Sequence, residues 1–372
     1  MSEQGLEIRR VVVKVGSSVL SDERGRLLPA RMKQLVEQVA RCLDEHRQVL
    51  IVSSGAIACG MSRMGLTQRP KSLAQLQACA AIGQSELMHR YAELFDRRKI
   101  LTAQVLLTQD DLADRIRFRN AKQTLLTLLH RRAVPIINEN DTVAVEEITF
   151  GDNDRLAALV AAAVDAQLLV LLSDVDGLLE NGKPLERVEA LDRFPPSMIR
   201  QTGRAVTKGG MSSKLEAARI IGHSGIPMVI ANGTNPSTLT DLLAGKSVGT
   251  LFVPPRTRLA SRKWWIAFSL RQPKGTLWVD DGAAAAILTK GKSLLASGVR
   301  EVNGQFEAGA FVAIVDPSGA ELARGVCRFS SSELVRVRGM NSADVAKTLG
   351  LSSPREVIHR NYLVLARELQ HG

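Results

Sequence analysis

Short runs of β-branched and aliphatic residues alternate with longer stretches of helical periodicity through the first two-thirds of the chain. Val11–Val15, Val49–Ser53, Thr102–Leu106, Val134–Ile137, Leu168–Leu172 and Pro227–Ala231 predict buried strands. Between them the spacing predicts helices such as Ala30–His46, where Leu35, Val36, Val39, Ala40 and Leu43 line one stripe. The most apolar stretch, Leu156–Leu172, is interrupted by Asp165 and Gln167 and so reads as helix, turn and buried strand, not as a membrane span. Strand–helix alternation of this kind predicts an α/β fold, a mostly parallel open sheet sandwiched by helices. Ligands meet such sheets where strands end and the next loops begin.

The pattern breaks at Pro254-Pro255-Arg256, Arg262-Lys263 and Gln272-Pro273-Lys274-Gly275. A first domain over 1–255 and a linker over 256–274 are expected, with Trp264, Trp265, Ile266 and Phe268 packing part of that linker against a domain. Beyond Gly275, Thr276–Val279, Phe311–Val315 and Leu334–Arg338 predict short strands, and Gly282–Lys290 a helix. A small β-rich domain over 275–353 and a C-terminal tail over 354–372 follow from that texture.

Composition adds three constraints. With 372 residues, 45% hydrophobic and 23% charged, the chain has the balance of a globular protein and is long for one core. Met1–Arg10 carries charge and no apolar segment, so no leader is expected and the cytoplasm is the expected compartment. Cys42, Cys59, Cys79 and Cys327 stand far apart, which indicates neither a zinc site nor a disulfide framework. The net charge of +11 is uneven: from Arg256 onward 17 basic residues face 10 acidic ones, against 32 and 28 before it. A basic C-terminal third suits either a solvated face or a polyanion such as RNA.

Two familiar nucleotide fingerprints are excluded. No two glycines stand two positions apart, so GxGxxG cannot occur, and the GKS at Gly245–Ser247 and at Gly291–Ser293 have Thr240 and Ala286 where a P-loop needs glycine. Six polar segments carry candidate chemistry, most of them straight after an expected strand. Lys14-Val15-Gly16-Ser17-Ser18 and Ser53-Ser54-Gly55-Ala56 are small-residue turns whose N–H groups can approach an anion, with Lys14 adding a cation. Asn138-Glu139-Asn140-Asp141 and Gly151-Asp152-Asn153-Asp154 place acids and amides on consecutive loops; Asp152 or Asn153 could cap the following helix, but a cap needs one residue. Ser173-Asp174-Val175-Asp176-Gly177 follows the most apolar strand. Lys208-Gly209-Gly210-Met211-Ser212-Ser213-Lys214 enters a helix, with Ser213 and Glu216 spaced as a capping box. A lysine in a first turn opposes the helix dipole, and a bound anion would remove that conflict.

Together and in this order, KVGSS at Lys14–Ser18, SSGA at Ser53–Ala56, INEND at Ile137–Asp141, GDND at Gly151–Asp154, SDVDGL at Ser173–Leu178, GGMSSK at Gly209–Lys214 and VGTLF at Val248–Phe252 resemble the amino acid kinase family. The region from about Gly275 to Ser353 resembles a PUA domain. The resemblance implies transfer of the ATP γ-phosphoryl group to the γ-carboxylate of L-glutamate, the first step of proline biosynthesis. It implies Lys14 and Lys214 flanking the phosphoryl group, with Asp154 orienting them. Ser54, Gly55, Ala56, Asn138, Asp141 and Asn153 would hold glutamate. Lys14, Ser173, Asp174, Lys208, Gly209, Gly210, Met211, Ser212, Ser213 and Lys214 would border ATP, and Mg²⁺ would ride chiefly on its phosphates, with no metal site of the protein's own. Lys208 departs from the family, which usually has threonine or a small residue there. Feedback inhibition by proline, hand-over to a glutamate-5-semialdehyde dehydrogenase and homo-oligomers are further implications. Competing readings keep the chemistry with another acceptor (acetylglutamate, aspartate, carbamate or a nucleoside monophosphate) or make the chain an RNA-binding protein acting through its second domain. Against the latter, Trp278 is the one tryptophan of that domain and no stacking series is visible.

Overall fold

The computed structural model describes residues 7–22, 26–143, 153–180, 183–191, 210–255, 261–268 and 273–366. The chain divides into two compact units, Met1–Arg258 and Leu259–Gly372. Among the described residues no helix is long and apolar enough to cross a membrane.

The strands of the first unit are β1 (Arg10–Val15), β2 (Gln48–Ser53), β3 (Thr102–Leu107), β4 (Val134–Glu139), β5 (Leu168–Ser173), the pair β6 (Leu179–Glu180) and β7 (Lys183–Pro184), β8 (Arg187–Val188), β9 (Met228–Asn232) and β10 (Thr250–Phe252). Its helices are α1 (Ser17–Leu20), α2 (Pro29–Asp44), α3 (Ala56–Arg63), α4 (Leu73–Asp96), α5 (Gln109–Ala113), α6 (Arg115–His130), α7 (Asn153–Ala163), α8 (Met211–Gly222) and α9 (Thr238–Leu243). Eight strands form one sheet in the order β3-β4-β2-β1-β5-β9-β10-β8. β1, β2, β3, β4, β5 and β9 run parallel, and β10 is antiparallel to β9. The expected α/β class and all six expected strands are present, displaced by at most two residues at their ends.

Strand alternation decides which side chains meet which helices. Val11, Val13 and Val15 join Val49, Ile51, Leu168, Val170 and Leu172 in a core shared with Met32, Leu35 and Val36 of α2, Leu87, Tyr91 and Phe95 of α4, and Leu239 of α9. Val12 and Lys14 therefore face the opposite side. That side is covered by α7, which touches β1, β2, β4 and β5 and is buried around nearly its whole circumference, as an all-apolar helix must be. A charge at Lys14 is thus committed to the α7 face by register alone.

On the other face α3 and α4 cross with backbones in contact. A Cβ on Gly60 would lie 1.8 Å from the Cys79 carbonyl oxygen, and one on Gly83 would lie 1.8 Å from that of Ala56. Only glycine permits that approach, and it clamps α4 against the turn at the end of β2.

In the second unit β11 (Thr276–Val279), β12 (Val299–Asn303), β13 (Phe311–Val315), β14 (Glu321–Val326) and β15 (Leu363–Leu365) form a sheet ordered β12-β11-β13-β14-β15, with only β11 and β13 parallel. Helices α10 (Ser261–Phe268), α11 (Asp281–Lys290), α12 (Ser331–Val337) and α13 (Ser342–Leu349) accompany it. The strand expected at Leu334–Arg338 is instead part of α12. Ser330 and Glu333 close a full capping box there, a helix-start signal that overrides the β-branched texture. Half of the stretch expected as a linker folds as α10, whose Ile266 packs with Phe311 and Val364, and the stretch expected as a tail contributes β15. All four cysteines are free and buried.

Gly60→Ala should lower the stability of the first unit by about 1–3 kcal/mol, the usual cost of overpacking, read as a fall in the urea midpoint. An unchanged midpoint would mean that α3 and α4 can separate at little cost.

Candidate active site

Because β4, β2, β1, β5 and β9 are neighbours and parallel, their C-terminal ends form one rim. From β1 the chain steps first to β2 and later to β5 on the opposite side, so a crevice opens outside β1, the switch point of the sheet. Asn138–Asp141 and Ser53–Ala56 border it on one side, Ser173 and Asp174 on the other, and Lys14 stands on the central strand.

Asp154, in the first turn of α7 and 1% exposed, lies at the centre. Its Oδ1 is 2.6 Å from the Lys14 Nζ, and its Oδ2 is 3.2 Å from the Lys214 Nζ. Ser213 Oγ donates to the same Oδ2 at 2.7 Å. Both lysine side chains are more than nine-tenths buried. Burial pushes the Asp154 carboxyl up, but the charges of Lys14 and Lys214 and the hydrogen bonds from Lys14 and Ser213 outweigh it and hold the group below the usual carboxylate range. Two cations and one carboxylate leave a local excess of positive charge.

The expected capping box of α8 is not formed. The helix starts three residues earlier than that box would place it, at Met211, so Ser213 lies inside its first turn and turns to Asp154 and to the Gly210 carbonyl oxygen, while Glu216 pairs with Arg155 at 2.6 Å. The conflict of Lys214 with the helix dipole is met by Asp154, a protein anion. The starts of α1, α3 and α8 carry no side-chain cap, which leaves backbone N–H groups of three helices available to an anion. Gly55 precedes α3 at φ +107°, a left-handed conformation that lets the chain turn from β2 into that helix. Ser54 N–H donates to the Val15 carbonyl oxygen at 3.1 Å, and Gly16 N–H to that of Leu172 at 3.0 Å, which stitches the turns to one another.

On the β2–β4 side a chain of amides is buried. Asn153 Nδ2 donates to the Ser53 carbonyl oxygen (3.1 Å), Ser54 Oγ (3.0 Å) and Asn138 Oδ1 (3.0 Å). Asn138 Oδ1 also accepts the Glu139 N–H at 2.9 Å, and Asn138 Nδ2 donates to Gln84 Oε1 at 2.8 Å. Asn153 Oδ1 and Gln84 Nε2 are buried with no hydrogen-bond partner among the described residues. Asp141 is buried at the mouth of the same loop; burial pushes its carboxyl up to about 6, against the opposing charge of Arg69.

On the β5 side, Ser173 Oγ donates to Asp174 Oδ1 at 3.1 Å at the end of β5, and Gly210, Met211 and Ser212 open α8. Lys208, Gly209, Gly151 and Asp152 lie outside the described residues. Of the expected residues, the structure joins Lys14, Asp154, Ser213 and Lys214 in one cluster, and Ser54, Asn138 and Asn153 in another. Ser53, in the expected turn and holding the Tyr91 hydroxyl at 3.1 Å, belongs to that second network, and so does Gln84, which no list drawn from the sequence contains. Gln84 sits mid-helix outside every strand–turn motif, so only its adjacency to Gly83 marked it.

Comparison with known proteins gives the family. The model of the amino acid kinase family matches residues 9–232, and that of the PUA domain matches 275–349. The chain belongs to the amino acid kinase family. Its curated relatives include glutamate 5-kinases of Caldanaerobacter subterraneus subsp. tengcongensis, 45% identical over 98% of this chain and 100% of the relative, and of Geobacter metallireducens, 46% identical over 96% and 98%. The glutamate 5-kinase of Geobacter sp. (strain M21) is 44% identical over 96% and 98%.

Asp154→Ala should cost about 3–5 kcal/mol, because it strands two buried cations, and urea titration measures it. The Asp154 carboxyl is held low in the folded state, so its stabilisation is present above the ordinary carboxylate range and is lost as pH falls below it. The acid limb of the wild-type stability profile should accordingly flatten in the variant.

Proposed function

We propose that the chain transfers the γ-phosphoryl group of ATP to the γ-carboxylate of L-glutamate, giving ADP and L-glutamyl 5-phosphate, as the name of its relatives describes. The observation that carries the reading is the meeting of Lys14 and Lys214, 200 positions apart in the sequence, on one carboxylate between the amide-lined and nucleotide-facing halves of the crevice. Phosphoryl transfer asks the protein mainly for alignment and neutralisation of charge. A γ-carboxylate is ionised at neutral pH, so its oxygen attacks phosphorus without a general base. The bond from phosphorus to the β–γ bridging oxygen breaks, and ADP carries the electron pair away.

In this reading Asp154 holds the two lysines in place until phosphate oxygens arrive, and Lys14 and Lys214 then neutralise those oxygens. The uncapped starts of α1 and α8, with Ser173, Asp174 and Lys208–Lys214, border ATP, whose phosphates carry Mg²⁺. Ser54, Gly55, Ala56, Asn138, Asp141 and Asn153 hold glutamate, with Asp141 and the unmet Asn153 Oδ1 facing its ammonium. The acyl phosphate is a reactive mixed anhydride, so a consuming reductive step, that of glutamate-5-semialdehyde dehydrogenase, belongs next to it in the cytoplasm. Inhibition by proline and homo-oligomerisation complete the proposal.

Incubation with ATP, L-glutamate and hydroxylamine should yield γ-glutamyl hydroxamate, with acetylglutamate, aspartate and carbamate as comparison acceptors. Lys214→Ala should abolish the signal while leaving the urea midpoint near wild type, since Asp154 keeps Lys14 and Ser213; turnover near wild type in that variant would remove the lysine's role. Protonated Asp141 cannot pair with an ammonium. KM for glutamate should therefore fall as pH rises through about 6, and Asp141→Asn should show no such fall.

A further inference from the structure

The buried amide chain has a fixed polarity, because each end is tied to a backbone group that can act in only one way. The Ser53 carbonyl oxygen only accepts, so the Asn153 atom that meets it is Nδ2. The Glu139 N–H only donates, so the Asn138 atom that meets it is Oδ1, which also receives Asn153 Nδ2. Asn138 must then offer Nδ2 to Gln84, whose Oε1 accepts it at 2.8 Å. Among the described residues Gln84 Nε2 is left as a donor with no partner, on a residue 9% exposed. A buried amide NH₂ without an acceptor is costly, and its position is not accidental: the neighbouring Gly83 pins α4 to Ala56 at the edge of the crevice.

We propose that Gln84 Nε2 donates to the α-carboxylate of the acceptor amino acid, reading the end of the substrate remote from the reacting carboxylate. The inference rests on the acceptor assignment made above. If the reacting carboxylate lies beside Lys14 on β1, the rest of the substrate extends across β2 toward the end of β4, about 10 Å away at ordinary strand spacing. Gln84 bonds to Asn138 at the end of β4, beside Asp141. An α-amino acid brings both missing partners to this place: an ammonium for Asp141 and Asn153 Oδ1, and a carboxylate for Gln84 Nε2. A monocarboxylate without the α-carboxylate leaves the Gln84 donor unmet, so Gln84 contributes to selecting an amino acid over a simple acid.

Gln84→Glu is the diagnostic variant, because it keeps an oxygen for Asn138 Nδ2 and exchanges only the NH₂ for an oxygen. Gln84→Leu removes both functions without adding charge. Both should raise KM for L-glutamate about tenfold or more and leave KM for ATP within about twofold. The inhibition constant of 4-aminobutyrate, which has the γ-carboxylate and ammonium but no α-carboxylate, should stay unchanged in Gln84→Leu. A residue that only supports Asn138 would leave Gln84→Glu like wild type and would weaken both ligands equally in Gln84→Leu; either result overturns the proposal. Wild-type protein that makes hydroxamate from another acceptor and not from glutamate would instead remove the acceptor assignment, and the Gln84 variants would not bear on it.

Discussion

One carboxylate, Asp154, holds the first unit's crevice together electrostatically. Lys14 arrives from the central strand and Lys214 from the first turn of α8, and neither could be buried there without a counter-ion. Asp154 satisfies both, and Ser213 adds a hydrogen bond that sets the carboxylate's orientation. Among the described residues of the cluster, two cations share one carboxylate. In the proposed reaction such a cluster, already formed, would meet phosphoryl oxygens with little reorganisation left for the moment of reaction.

That arrangement depends on sheet register. The alternation of β1 sends its odd-numbered valines to the core under α2 and α4 and sends Lys14 to the α7 face, where Asp154 begins the helix. A slip of one residue would exchange the two faces and leave the lysine among aliphatic side chains. On the other side of β1, the glycine contacts between α3 and α4 bring a mid-helix glutamine to the end of β4. Charge therefore concentrates at the switch point and directed amides lie beside it.

The second unit shows how local signals compete. Leu334–Arg338 has the β-branched texture of a strand, yet the capping box formed by Ser330 and Glu333 starts a helix across it. At α8 the reverse holds: Ser213 and Glu216 have capping-box spacing, but tertiary partners take both side chains, Asp154 for one and Arg155 for the other. A local motif is realised only where no better partner competes for its side chains.

The sequence by itself determined the α/β class, the strand-end placement of Lys14, Ser54, Asn138, Asp141 and Ser173, and the family. These follow from periodicity and from short motifs, both local properties of a chain. Tertiary structure alone decided that Lys14 and Lys214 share Asp154, that Asn153 and Asn138 form one directed amide chain, and that Gln84 closes it. Those contacts join residues as much as 140 positions apart across neighbouring strands and helices, and a hydrogen bond's direction is set by the backbone group at its far end, which no local pattern records.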